Sequence, residues 1–168
     1  MAIKTFEAAL SCASLNDMTD HIEHAVHPAL RAHLRSLEAA VAELNPQGPD
    51  AVTLRSLIGQ IGVATVAQTD FESKVFFPQL RAIERARFGE GAWPPRDAPS
   101  LEDCRNKLRE EHDQVRALLD ALRTQTAGHP HLREAAAAMT AELDRNTYLE
   151  EDGLFPRGLG LEPRFGLH

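Results

Sequence analysis

The sequence predicts an all-α protein built as one up-down-up-down antiparallel four-helix bundle. Aromatic residues make up only 5% of the 168 residues, alanine, leucine and glutamate are abundant, and the alternating pattern of β-strands is missing. Three segments rich in proline and glycine interrupt the helical periodicity, at 45–50, 87–100 and 126–131. We expect a single domain over residues 1–168, with helices at about 15–44, 51–86, 100–125 and 130–155.

Capping residues support the start of each helix. Ser14, with Asp17 three residues later, predicts the N-terminus of the first helix, and Asp50 is expected to cap the second. Ser100 precedes two acidic residues and predicts the start of the third helix. Pro130 suits the first turn of the fourth helix, where a missing N–H costs nothing.

Pro78 lies inside the second helical segment, although helical character continues beyond it. Proline has no backbone N–H, and its ring clashes with the carbonyl four residues earlier. We therefore expect a kink or a break of the helix at Pro78.

Each helical segment has an apolar seam with the three-four spacing of a bundle core. Polar residues interrupt these seams, and antiparallel packing brings them to one end of the bundle. They are His27, Gln68, Glu72, His112, Asn146 and Glu150. A buried ionisable group is costly unless it is paired or bound to a metal, so this level of the core is the candidate functional site.

The chain contains the same segment twice. QTDFESKVFFP (68–78) is followed 78 residues later by NTYLEEDGLFP (146–156), and each copy has a side-chain amide four residues before the shared glutamate. A weaker repeat precedes each copy, HPALRAHLRSL (27–37) and HDQVRALLDAL (112–122). The protein therefore consists of two related halves, each with a histidine segment followed by a glutamate segment.

Charge and hydropathy exclude several classes of partner. The 18 Lys and Arg residues are outnumbered by 25 Asp and Glu residues, so a net charge of −7 disfavours nucleic acid. No apolar run is long enough to span a bilayer, and no signal-peptide pattern is present, so we expect no membrane partner and a cytoplasmic location. Cys12 and Cys104 have no C-x-x-C spacing, and Cys104 is expected to be a buried thiol.

Four stretches resemble the hemerythrin-like, or HHE cation-binding, domains, which include the repair-of-iron-centres proteins. They are TDHIEHAVH (19–27), FESKVFFPQL (71–80), EEHDQVRALLDAL (110–122) and YLEEDGLFPRGL (148–159). The resemblance implies a binuclear non-haem iron centre inside the bundle. Helices 1 and 3 would each supply one histidine, and helices 2 and 4 would each supply an H-x-x-x-E motif whose glutamate bridges the irons. By position, the implied metal ligands retained here are His27, Glu72, His112 and Glu150.

Gln68 and Asn146 stand where the family has its other two histidines. An amide offers only a neutral carbonyl oxygen, which suits harder ions better than an imidazole does. We treat both amides as candidate additional ligands. Zinc in a tetrahedral site is an alternative to iron, and so is a metal-free core in which both amides donate hydrogen bonds to the glutamates and two protonated histidines balance their charge.

Three functions follow as hypotheses. The first is a metal-binding protein for metal handling, iron-centre repair or sensing of O2, NO or peroxide. The second is a metal-free interaction or regulatory bundle, and the third is a peroxide-consuming redox enzyme. A homodimer contact through Met18, Ile22 and Val26 is the alternative to packing of these residues within the domain.

Other polar and aromatic residues are weaker candidates. Glu23 is one turn before His27 and could orient its imidazole, although a solvated acid is the favoured interpretation. His24 lies off the seam and is expected to be exposed. Trp93 is expected to pack a loop onto the bundle, and Tyr148 to lie off the seam.

Overall fold

The computed structural model describes residues 13–45 and 48–162, and within them it contains helices and no strand. The α-helices are α1 Leu15–His21, α2 His27–Ala42, α3 Pro49–Phe71, α4 Phe77–Arg87, α5 Leu101–Gln125, α6 Pro130–Tyr148 and α7 Phe155–Leu161. Short π-helical turns join some of them, π1 Ile22–Val26, π2 Glu72–Phe76 and π3 Leu149–Leu154. Four continuous bundle helices result, formed by α1–π1–α2, α3–π2–α4, α5 and α6–π3–α7.

The four bundle helices form the predicted antiparallel bundle. α2 packs against α3 and α6, and α5 packs against the other sides of α3 and α6, so each helix has two neighbours around a common core. Met18, Ile22 and Val26 are 2%, 0% and 0% exposed. They pack within the core, and the dimer contact considered for them is not available.

Each π turn ends two residues before a proline. The backbone N–H groups of His27, Phe77 and Phe155 donate to carbonyl oxygens five residues earlier, and Pro28, Pro78 and Pro156 follow directly. A turn with one extra residue moves the carbonyl away from the proline ring, which an α-helical turn would not do. The helix therefore passes Pro78 through a π turn instead of breaking there.

Two helix starts are capped as predicted. The hydroxyl of Ser14 accepts from the N–H of Asp17, and the carboxylate of Asp17 accepts from the N–H of Ser14, so both form a capping box. Ser100 and Asp103 form the same box at the start of α5.

Of the other two predicted helix starts, one is confirmed and one is wrong. Pro130 is the first residue of α6, as predicted. The Asp50 cap is wrong, because α3 begins at Pro49 with Gly48 as its N-cap, and Asp50 lies in the first turn. The fourth bundle helix also continues to Leu161, beyond the predicted end at 155, because π3 carries it past Pro156.

A glycine allows α7 to cross close to the second and third bundle helices. A Cβ at Gly158 would lie 2.5 Å from Cδ2 of Leu80 and 3.1 Å from Cδ1 of Leu101. In the repeat, Gly158 occupies the position equivalent to Leu80. The large Leu80 side chain on one helix therefore packs against Gly158, which has no side chain, on the other.

Candidate metal site

The six polar residues of the seams meet in the core, as the sequence predicts. Their exposed fractions are 0% for Gln68, Glu72, Asn146 and Glu150, and 2% for His27 and His112. The two helices with the repeated segment each contribute an amide and a glutamate one turn apart, since residues four apart share a helix face. The first and third bundle helices contribute one histidine each.

Glu72 lies between the two halves of the cluster. Its Oε2 atom is 2.5 Å from Nε2 of His27, and its Oε1 atom accepts a hydrogen bond of 2.7 Å from the Gln68 amide. The Asn146 amide lies 3.4 Å from the same Oε1 atom. Both oxygens of Glu72 therefore have partners.

Glu150 has fewer partners than Glu72. The Asn146 amide donates to its Oε1 atom at 3.0 Å. Nε2 of His112 is 3.5 Å from Oε2 of Glu150 and 4.0 Å from Oε1 of Glu72, which is within ion-pair range but does not form a hydrogen bond. The His112 ring therefore lies beside two acids without bonding to either.

Buried polar atoms without a hydrogen-bond partner are concentrated at this site. Within the part of the chain that the structure describes, the remaining such atom belongs to Glu111. The site atoms are Oε1 of Gln68, Nδ1 and Nε2 of His112, Oδ1 of Asn146 and Oε2 of Glu150. Buried polar groups normally find partners, so this is the level of the core at which a cation could be accommodated.

Burial shifts the protonation of two site residues. Burial lowers the pKa of His112 below its ordinary value of 6.5, against an opposing effect of Glu72. Burial and the charge of Glu72 raise the pKa of Glu150 well above 4.5. Both shifts disfavour the charged forms of these two side chains, which disfavours the hypothesis of two protonated histidines balancing two carboxylates.

Aromatic residues of the repeated Phe-Pro element close the core next to the site. The Phe77 ring is stacked on the His27 imidazole, with centroids 5.9 Å apart and an interplanar angle of 17°. Phe76 and Phe155 are stacked with centroids 4.5 Å apart. These apolar rings exclude water on one side and strengthen electrostatic interactions at the site.

The weaker candidates do not join the cluster. Glu23 lies outside the buried cluster and forms an ion pair with Arg81, with Oε2 2.5 Å from the guanidinium. His24 is exposed, as predicted, and its Nδ1 atom is 2.8 Å from the carbonyl of Asp20.

The two aromatic candidates also lie away from the cluster. Trp93 lines a surface cavity of about 590 Å³ together with Gln79 and Ile83, and Tyr148 is 46% exposed. Cys104 is buried, as predicted, whereas Cys12 lies outside the described residues.

One supporting residue was missed from the sequence. Glu151, next to Glu150, accepts hydrogen bonds from the guanidinium groups of Arg105 and Arg109 on α5 at distances of 2.7–3.0 Å. This clamp ties π3 to the third bundle helix beside His112. The acidic pair at 150–151 and the arginine spacing on α5 carry the only sequence signal for it.

The donor set fits divalent cations. Atoms of Glu72, His112 and Glu150 lie within 4.8 Å of one another, and all three residues are buried. The cluster as a whole offers two imidazoles, two carboxylates and two amide oxygens. Such a set suits Mn²⁺, Fe²⁺ or Zn²⁺, with fewer nitrogen ligands than the sequence resemblance implies for a binuclear iron centre.

An antiparallel four-helix bundle with facing histidines and carboxylates in its core is the architecture of metal-binding bundle proteins. The chain belongs to the hemerythrin HHE cation binding domain family, whose model matches residues 18–158. Searches of curated proteins and of solved structures gave no match. In the described part of the chain, no helix combines the length and the apolar character needed to cross a membrane.

Proposed function

We propose that this protein is a hemerythrin-like metal-binding protein with a binuclear, iron-type non-haem centre in its bundle core. The observation that carries the proposal is the cluster of five buried atoms without hydrogen-bond partners, on Gln68, His112, Asn146 and Glu150. The three oxygens and one of the two His112 ring nitrogens can each offer an electron pair to a cation. A cation would therefore satisfy the groups that the protein alone leaves unsatisfied.

The residues would share the binding as follows. Glu72 lies near both histidines and would be shared between the ions, whereas Glu150 faces His112 and would bind on that side. The amide oxygens of Gln68 and Asn146 would complete the coordination. A bound iron pair would supply an open coordination position for O2, NO or peroxide.

Enclosure restricts what can reach the centre. The six residues are at most 2% exposed, and the Phe77 ring is stacked on the His27 imidazole. Such burial favours small diatomic molecules and peroxide as ligands over larger substrates. We therefore favour metal handling or sensing of a small ligand over chemistry on a bulky substrate.

The first test is elemental analysis of protein purified without an affinity tag. We expect about two irons per chain in the wild-type protein. The double variant Glu72→Ala/Glu150→Ala should lose them, because both carboxylates are removed. Asp152→Ala is the matched control, since it removes an exposed acid of the same segment, and its metal content should be unchanged.

Two outcomes would change the assignment. A single zinc would indicate a tetrahedral site in place of an iron pair. Metal-free protein that also resists anaerobic incubation with Fe²⁺ would reject the proposal.

The amide hydrogen bonds favour the metal-free bundle as a second candidate. Gln68 and Asn146 already donate to Glu72 and Glu150 at 2.7 and 3.0 Å. In that case the thermal unfolding temperature would be the same with and without a chelator. A metal-binding core should instead lose stability when the chelator removes its ions.

A further inference from the structure

The two halves of the metal site differ in how many of their donor atoms are already engaged. The first half consists of His27, Gln68 and Glu72, and the second of His112, Asn146 and Glu150. Of the five site atoms without a partner, Oε1 of Gln68 belongs to the first half, and the other four belong to the second. The repeated sequence thus produces two unequal half-sites.

The first half is held together by its own contacts. Nε2 of His27 is 2.5 Å from Glu72, and the Phe77 ring is stacked on the imidazole. The other oxygen of Glu72 accepts from Gln68 at 2.7 Å. A cation there would have to replace the His27–Glu72 hydrogen bond before it could use that imidazole nitrogen.

In the second half, no hydrogen bond joins the histidine to the glutamate, since Nε2 of His112 is 3.5 Å from Glu150. Both ring nitrogens of His112 lack partners, and Oε2 of Glu150 and Oδ1 of Asn146 do too. Atoms of His112 and Glu150 also lie within 4.8 Å of an oxygen of Glu72. Three residues from three bundle helices therefore already converge, with an amide oxygen one turn from Glu150.

We propose that the second half binds the first divalent cation, through His112, Glu150 and Asn146 with Glu72 shared, and that the first half fills only afterwards. This inference rests on the proposed function, because it concerns the order of filling of the same centre. The first cation would have one nitrogen donor and otherwise oxygen donors. Oxygen-rich sets of this kind suit Mn²⁺ and Fe²⁺.

Anaerobic calorimetric titration with Co²⁺, followed in parallel by visible absorption, tests the order. The pseudo-symmetry provides a matched pair of variants, His112→Gln and His27→Gln, each removing one imidazole from one half. We expect two binding steps in the wild-type protein. His112→Gln should weaken the tighter step by more than about 100-fold, which exceeds the loss typical of a residue outside the coordination shell. His27→Gln should change the affinity of the same step by less than about 3-fold.

A second pair covers the case in which a histidine variant fails to fold. Asn146→Ala should weaken the first step, and Gln68→Ala should affect only the second, with folding checked by thermal unfolding. Equal weakening of the tighter step within either pair would overturn the unequal filling while leaving metal binding intact. No Co²⁺ binding by folded wild-type protein would instead reject the proposed function, and this inference with it.

Discussion

The two copies of the repeated segment keep the same glutamate and the same Phe-Pro element but give them different surroundings. Glu72 lies within reach of His27 and both amides, whereas Glu150 accepts from Asn146 alone. Two acids related by approximate symmetry cannot both occupy the centre of one core. The duplication therefore preserves the positions of candidate ligands without preserving their partners.

The same inequality recurs at the end of each copy. Leu80 and Gly158 occupy equivalent positions, and the Leu80 side chain fills the space that a side chain at 158 would need. In one copy the helix continues as α4 to Arg87, and in the other it ends as α7 at Leu161. Packing near an approximate symmetry axis favours one large residue and one small one.

The largest effect that would test the comparison is expected from Glu72→Gln and Glu150→Gln. Glutamine keeps the volume and removes the charge, so folding is least disturbed. Glu72→Gln should weaken both Co²⁺ steps by more than about 100-fold, equal to about 2.7 kcal/mol, because Glu72 serves both halves. Glu150→Gln should weaken only the first step, as measured by calorimetry, and an identical pattern for both variants would remove the distinction between the acids.

Gly158→Ala should lower the free energy of unfolding by about 1–3 kcal/mol, measured by urea denaturation, because the added methyl group overpacks Leu80. Gly160→Ala is the control, since a Cβ there meets no atom within 4 Å. It should be neutral or slightly stabilising. The double variant Leu80→Ala/Gly158→Ala should cost less than the sum of its parts, and strict additivity would show that the two positions do not compete for space.

Asn146→His and Gln68→His would restore one imidazole to each half. Asn146→His should raise the affinity of the first step for Zn²⁺ relative to Mn²⁺ by roughly 10-fold, about 1.4 kcal/mol, because imidazole suits Zn²⁺ and a carbonyl oxygen suits Mn²⁺. Gln68→His should leave that first-step ratio unchanged. Competition titrations with the two metals measure both ratios, and a larger change in Gln68→His would reverse the proposed order of filling.

The smallest effect is expected from Glu151→Gln. Partial burial raises the pKa of Glu151, but hydrogen bonds from Arg109 and Arg105 outweigh it and bring the pKa below 4.5. A lowered pKa contributes stability above pH 4.5 that is lost as the pH falls through the folded-state pKa. The variant should therefore be less stable at pH 7 by up to about 1 kcal/mol and should approach the wild-type protein in acid.

Denaturant unfolding from pH 7 to pH 3 measures this difference. Asp152→Asn is the control, because Asp152 is exposed beside the clamp. A stability gap that persists unchanged in acid would show that Glu151 acts through packing and not through its charge.

The sequence was sufficient to predict the helices and the residues that meet in the core. Helical periodicity placed the six polar residues on four seams, and short connections oriented those seams toward one another. Burial of all six residues confirms that interpretation. The family match over residues 18–158 agrees with the resemblance seen in the motifs.

Sequence rules for caps, side-chain partners and prolines predicted less well, because these features depend on neighbouring residues and helices. Asp50 is a good capping residue, yet Pro49 already starts the helix one residue earlier. The partners of Gln68 and Asn146 depend on where the other helices place their side chains, which periodicity does not determine. Pro28 and Pro156 carried the same signal as Pro78, but only the structure shows that all three follow a π turn.

The π turns also set the rotational phase of each interrupted helix. One residue corresponds to about 100° of rotation in an α-helix, so the extra residue in π2 turns α3 relative to α4 by roughly a quarter of a full circle. Gln68 lies before π2, and Phe77 lies after it. Deleting one residue between Glu72 and Phe77 would therefore swing the amide away from the core while the aromatic residue stayed in place, and the length of this segment specifies the site as firmly as its chemistry does.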